Sequence, residues 1–198
     1  MIRNRVRIIG GAWRSRLIRV APRADLRPTP DRVRETLFNW LGQDLTGKDC
    51  LDLFAGSGAL GFEAASRGAR RVVMVERDAP AFQTLETNRA ALGATQVELV
   101  RADALEFLRN DPGQYDIVFL DPPFRTDYWG RVLSLLLPRL RAGARVYCES
   151  GGAGALAPGW EAWRTARAGQ VTYQLLKRIE DETESGLPGD IRSHHAGP

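Results

Sequence analysis

The stretch Cys50-Leu51-Asp52-Leu53-Phe54-Ala55-Gly56-Ser57-Gly58-Ala59-Leu60-Gly61 decides the fold. Its first five residues form an apolar run of strand length broken by one acid, and glycines follow at once. It reads as a buried strand turning sharply into a helix. A glycine pair there lets the backbone bend tightly and approach a ligand, with the amides of the helix N-terminus facing it. Outward from this turn the alternation continues. Cys50 to Phe54, Val72 to Glu76, Val97 to Arg101, Ile117 to Leu120 and Arg145 to Glu149 read as strands, and Ala59 to Arg67, Ala79 to Leu92, Ala104 to Arg109 and Tyr128 to Leu140 as helices. Such βαβ repetition predicts an α/β protein with a parallel, doubly wound sheet and a ligand crevice at the carboxyl ends of its strands. Two later β-like runs, Trp160 to Arg167 and Val171 to Ile179, flank Ala168-Gly169-Gln170 and read as a closing hairpin. Upstream, Pro30-Asp31 opens a helix through about Leu41, with Val33, Leu37, Phe38 and Leu41 at helical spacing and Gly42 at its end.

The 198 residues, 43% hydrophobic, suffice for one domain with a core and not for two. The net charge of +4 conceals a strong asymmetry: residues 1–34 carry +8, residues 35–179 balance, and residues 180–198 carry −4. A basic arm over residues 1–28, a Rossmann-like domain over 29–179 and a disordered acidic tail over 180–198 are the expected parts. In the arm, Arg3, Arg5, Arg7, Arg14, Arg16 and Arg19 interleave with Val6, Ile8, Ile9, Trp13 and Ile18. That pattern predicts a small hairpin turning at Gly10-Gly11, one face apolar and one cationic, suited to a polyanion. The arginine-rich start, Met1 to Arg7, lacks the apolar run of a signal peptide, so a soluble cytoplasmic protein is expected. Cys50, Cys148, His194 and His195 offer no zinc-ligand spacing, and no metal is expected.

Gly56, Gly58 and Gly61 fit the spacing of a dinucleotide loop, and Glu76 ends the second strand 20 positions after Gly56. A carboxylate there can accept both hydroxyls of a ribose in either class of cofactor. Asp52 separates the classes, because an acid inside the turn repels a pyrophosphate yet can pair with the ammonium of an amino-acid moiety; its plainer role is to cap the following helix. Asp103 stands either where an adenine lies or as the cap of the helix at Ala104. Asp121-Pro122-Pro123-Phe124 puts an acid at the crevice in a stiff, extended turn. Asp121 and the Pro122 carbonyl can accept both hydrogens of a planar NH2 group, leaving its lone pair for an electrophilic methyl, while Phe124 stacks on the base.

These motifs, with Arg7-Ile8-Ile9-Gly10-Gly11-x-Trp13-Arg14 and the run from Leu26 to Leu41, resemble the RsmD family, the bacterial 16S ribosomal RNA guanine-N2 methyltransferases, over about residues 5 to 179. The arm departs from the family's pattern at Ser15, Leu17, Ile18 and Arg19, and Pro30 stands where Thr is usual. The resemblance implies a Rossmann-like fold with a seven-stranded, mostly parallel sheet closed by a β-hairpin and a small N-terminal hairpin extension. It implies S-adenosylmethionine at Asp52, Ala55, Gly56, Gly58, Glu76, Asp103 and Ala104, with Thr29 and Arg32 near its carboxylate. It implies transfer to N2 of guanine 966 at Asp121, Pro122, Pro123 and Phe124, and RNA contacts from Arg7, Trp13, Arg14, Arg16, Arg19 and Arg27. A monomer acting on 16S rRNA within the small subunit or its assembly intermediate is expected. The alternatives are the same chemistry on another amine, such as adenine N6 or a protein glutamine; a nicotinamide-dependent oxidoreductase; and a non-catalytic RNA chaperone.

Overall fold

The computed structural model describes residues 5–22, 28–121, 126–150 and 158–179. Pro122, Pro123, Phe124, Arg27 and the tail from 180 onward, all singled out above, lie outside the described residues. A two-stranded hairpin, β1 (Arg5–Arg7) and β2 (Leu17–Arg19), precedes helix α1 (Asp31–Leu41). Then come β3 (Asp49–Asp52), α2 (Ala59–Ser66), β4 (Arg71–Val75), α3 (Ala79–Leu92), β5 (Val97–Val100), α4 (Ala104–Asn110) and β6 (Tyr115–Leu120). The chain continues through α5 (Thr126–Leu136), β7 (Leu140–Ser150), β8 (Trp160–Ala168) and β9 (Val171–Arg178).

The main sheet has the order β5-β4-β3-β6-β7-β9-β8. Strands β3 to β7 run parallel, and β9 joins β7 antiparallel with β8 at the edge, as the closing hairpin requires. Between β3 and β6 the chain changes direction across the sheet, which opens the crevice at their carboxyl ends. Strand alternation divides the core. Cys50, Met74, Phe119 and Tyr147 pack on one face with α1, α2, α3 and the N-terminal hairpin. Leu51, Val73, Val118 and Val146 pack on the other with α4 and α5. Tyr115 and Ile117, two positions apart, fall on opposite faces because a bulge separates them.

Two elements differ from the sequence reading. The helix expected to reach Leu140 stops at Leu136 and gives way to a 3-10 turn over Leu137–Arg139, because Pro138 disfavours helix at the residue before it. Strand β7 then begins at Leu140 rather than Arg145, and Arg141 is held beside Asp116 and Asp49 by two 2.7 Å ion pairs. That long-range pairing extends the strand where local pattern shows none.

The hairpin is no free arm. Val6, Ile8, Ile18 and Val20 belong to the main core, and the Asn88 side chain on α3 bonds both the N–H and the C=O of Arg19. Its connection is wider than a turn at Gly10-Gly11 alone. It spans Ile8 to Arg16, includes a 3-10 turn over Gly11–Trp13, and is closed by Ile8 N–H to Arg16 O and Ser15 N–H to Ile8 O. Gly11 sits at φ +74, where a Cβ would lie 1.9 Å from the Ser66 carbonyl oxygen. Only glycine lets this turn lie against the end of α2.

Candidate active site

Four carboxylates stand at the carboxyl ends of four neighbouring strands. Glu76 follows β4, Asp52 ends β3, Asp121 follows β6, and Glu149 lies near the end of β7, level with Asp121 because Leu120 pairs with Cys148. Each lies two residues beyond a side chain of one core face: Met74, Cys50, Phe119 and Tyr147. The row therefore lines one side of the crevice. Its members feel one another. Burial, with the charges of Asp121 and Glu76, pushes the Asp52 carboxyl up to about 7. Burial and the charge of Glu149 push Asp121 up to about 7 as well.

The loop between β3 and α2 is fastened to this row. Ala55 N–H donates to Val75 O at 2.9 Å, and Gly56 N–H donates to Glu76 Oε2 at 2.9 Å. Glu76 Oε1 accepts the Asp78 N–H at 2.7 Å, so this half-buried carboxylate already braces the loop and still has lone pairs to spare. Gly58 adopts φ +77 with Leu85 and Phe62 so close that a Cβ would lie 2.6 Å from Leu85 Cδ2. Asp52 Oδ2 accepts the Gly61 N–H at 3.0 Å. The capping role considered for Asp52 is thus present, within the first turn of α2. Asp103 likewise caps α4 through the N–H groups of Leu105 at 2.9 Å and Glu106 at 3.4 Å, with Ala104 buried as the first helical residue.

Thr29 is buried before α1, and its carbonyl accepts Arg34 Nε at 3.2 Å; Arg32 is exposed on the helix. On the hairpin, Arg5 opposes Arg19, and Arg7 opposes Leu17, all four on the outer, solvent-facing side. Directly opposed like charges cost stability. Arg16 donates to the Ala91 carbonyl at 2.6 Å. Trp13 is half-buried against the core, with its N–H on Ser66 Oγ. Arg14 lines a polar cavity of about 540 Å³ with Glu35, Asn39, Gln43 and Arg67, at the far end of α2 from the carboxylate row. The structure therefore gathers the acids into one crevice and sets the arginines on a separate, outer surface.

Sequence reasoning missed two features. Glu63, fully buried in α2, pairs with Arg67 at 2.8 Å and Arg34 at 3.3 Å, and accepts the N–H groups of Ile9 and Gly10 at 2.8 Å each. Arg67 also lies 4.6 Å over the Phe38 ring and bonds Gln43. The signal was a lone Glu with an Arg four residues on in an otherwise apolar helix. The other is Glu149, whose Oε1 accepts the buried Tyr147 hydroxyl at 2.8 Å.

A doubly wound sheet, a glycine turn braced by a strand-end glutamate, and a crevice of carboxylates suited to a cationic ligand define an S-adenosylmethionine-dependent methyltransferase. The sulfonium and ammonium of that cofactor fit this donor set, whereas a pyrophosphate does not. The model of the family described as conserved hypothetical protein 95 matches residues 6–177. The ribosomal RNA small subunit methyltransferase D of Escherichia coli K12 is 43% identical over 180 residues, 88% of this chain and 91% of the relative. Its namesake from Haemophilus influenzae is 40% identical, over 88% and 95%. A solved Escherichia coli structure described as methyltransferase yhhF superposes with a TM-score of 0.81 at 42% identity, covering 89% of this chain and 99% of that one. An RNA methyltransferase from Salinibacter ruber, solved with S-adenosyl-L-homocysteine, shares the fold at a TM-score of 0.64 and 22% identity, over 84% of this chain and all of that one. The chain belongs to the family of conserved hypothetical protein 95, which is the RsmD family. Among the described residues no helix is long and apolar enough to cross a membrane, and no cluster of His, Cys, Asp or Glu could hold a metal ion.

Proposed function

We propose that this protein methylates the exocyclic N2 of guanine 966 in the 16S rRNA of the small ribosomal subunit. The observation that supports this reading best is Asp121, at the switch point beside Asp52 in a chain of this family. When bound, S-adenosylmethionine supplies an electrophilic methyl on a sulfonium. Asp52 would hold its ammonium, Glu76 its ribose hydroxyls, and Asp103 and Ala104 its adenine; Ala55, Gly56 and Gly58 shape the loop, and Thr29 and Arg32 would serve its carboxylate. Asp121 would accept a hydrogen of the target amine, orient the nitrogen lone pair and take the proton that the nitrogen sheds on methylation, with Pro122, Pro123 and Phe124 completing the grip on the base. Orientation and exclusion of water supply most of the rate.

The hairpin's outer arginines hold the RNA. Arg7, Arg14, Arg16, Arg19 and Arg27 neutralise phosphates, and Trp13 braces the turn of the hairpin. The opposed Arg5 and Arg19 are tolerated because a polyanion relieves their repulsion. The protein works as a cytoplasmic monomer on the small subunit or its assembly intermediate, with residues 29–179 as catalytic domain, 1–28 as RNA arm and 180–198 as an appended acidic tail.

Small subunits from cells lacking this protein are the test substrate. Incubated with the protein and labelled S-adenosylmethionine, they gain one methyl, located on guanine by mass spectrometry. Asp121→Ala lowers the single-turnover rate at least a hundredfold with RNA affinity unchanged. Methyl transfer to DNA or ribosomal protein instead, or a full rate in Asp121→Ala, overturns the reading.

A further inference from the structure

We propose that Glu149 selects the base, its carboxylate accepting the N1–H of the target guanine beside Asp121, so that a purine with an unprotonated N1 is refused. This rests on the guanine-N2 reading above and assigns a residue to its specificity.

The placement is fixed by the sheet. Leu120 pairs with Cys148 in parallel register, so the next residue on each strand, Asp121 and Glu149, stand side by side. Adjacent strands are about 4.8 Å apart, within reach of two neighbouring atoms on one base edge. Both carboxylates continue the face of Phe119 and Tyr147, and Glu149 is held in place. Its Oε1 accepts the Tyr147 hydroxyl at 2.8 Å, and the Tyr147 ring is buried and packed 6.5 Å from Tyr173, itself stacked on Trp40 at 5.4 Å. Among the described residues the second oxygen of Glu149 accepts no hydrogen bond. A fixed acceptor with an open oxygen therefore stands next to the residue that holds the amine.

The chemistry of the base supplies the match. Guanine presents two adjacent donors on its Watson–Crick edge, the N2 amine and N1–H. Two carboxylates, one per donor, are complementary to it. Adenine and 2-aminopurine carry a lone pair at N1, which would face the carboxylate and leave both acceptors unpaired. A polar group left unpaired in a desolvated site separates substrates far more sharply than shape does.

The test uses small subunits reconstituted with 16S rRNA ligated to carry guanine or 2-aminopurine at the target position, both of which offer the same N2 amine. The wild-type protein methylates guanine and discriminates against 2-aminopurine. Glu149→Gln keeps the size of the side chain and an acceptor for Tyr147, but its amide can donate to N1. The ratio of kcat/KM for 2-aminopurine over guanine should rise tenfold or more in Glu149→Gln, and by a smaller factor in Tyr147→Phe, where the carboxylate loses its anchor. Glu149→Gln stays folded, with any shift in thermal unfolding upward because the charge beside Asp121 is gone, and S-adenosylhomocysteine affinity stays at the wild-type value, since the amide is isosteric and lies beyond the cofactor loop. An unchanged ratio in a folded, active Glu149→Gln overturns the assignment while leaving the guanine reading standing. A wild-type protein inactive on guanine-containing subunits overturns both.

Discussion

Replacing Asp52 with Asn should make the protein more stable and a worse methyltransferase, and the gain should depend on pH. The carboxyl is buried, with Asp121 and Glu76 nearby, and titrates near 7 in the folded chain against 3.8 for the free side chain. Between those values the folded state holds a proton that the unfolded chain has released. Folding stability therefore falls as pH rises from about 4 to about 7 and is flat beyond. Three units at about 1.36 kcal/mol each put the cost near 4 kcal/mol at pH 8, and local relaxation around the charge brings it to roughly 2 to 4 kcal/mol. Asparagine carries no charge and still offers an oxygen to the Gly61 N–H. The advantage of Asp52→Asn should grow from near zero at pH 4 to that value at pH 8, about 5 to 10 °C in Tm for a chain of this size. Thermal unfolding of both proteins at several pH values measures it, since any fixed packing cost of the amide cancels between them. Affinity for S-adenosylhomocysteine, which carries the same ammonium, should fall tenfold or more by calorimetry. A difference in Tm that is the same at pH 4 and pH 8 would refute the account of Asp52 as a strained carboxylate held for a cation.

Three further outcomes are expected. Glu63→Gln leaves the buried Arg67 without its 2.8 Å carboxylate partner and Arg34 with Asp31 alone, and should cost about 3 to 5 kcal/mol in urea unfolding. Glu76→Ala removes two charge-assisted bonds to the ribose and should weaken cofactor binding at least tenfold by calorimetry. Replacing Arg14 and Arg16 together with Ala should lower the slope of log K against log salt for rRNA by about 1.4 to 1.8, with the single-turnover rate at saturating RNA retained; an unaltered slope removes both from the docking surface.

The helices were legible wherever local chemistry closes them. Helix α3 runs from Ala79 to Leu92 as read, because Asp78 caps it at Ala81 N–H and Gly93 takes φ +65 at its end. Helix α1 stops at Leu41, before Gly42 at φ +101. The strands were legible because both faces of the sheet are covered, so their runs are almost wholly apolar. What escaped depends on partners far apart in the chain. The start of β7 is set by Arg141 reaching Asp49, 92 positions away. The seat of Gly10 is Glu63, 53 positions on. In the site, Asp121 stood out by its prolines, whereas Glu149 ends an ordinary apolar strand and acquires meaning only from the register that sets it beside Asp121.

Helix α2 has the cofactor turn at its first residue and the Glu63 and Ser66 anchors of the arginine-bearing hairpin on its last turns. At 1.5 Å per residue its eight residues span about 12 Å. If the hairpin arginines grip the RNA as proposed, the helix acts as a gauge block between that grip and the place where the methyl is delivered. With hairpin and turn clamped to opposite ends of one rod, such a grip would have no elbow between them with which to reach a neighbouring nucleotide. A fixed span of this kind can choose among chemically identical guanines by distance alone, and lengthening or shortening the rod by one turn would move the point of delivery along the RNA by about 5 Å.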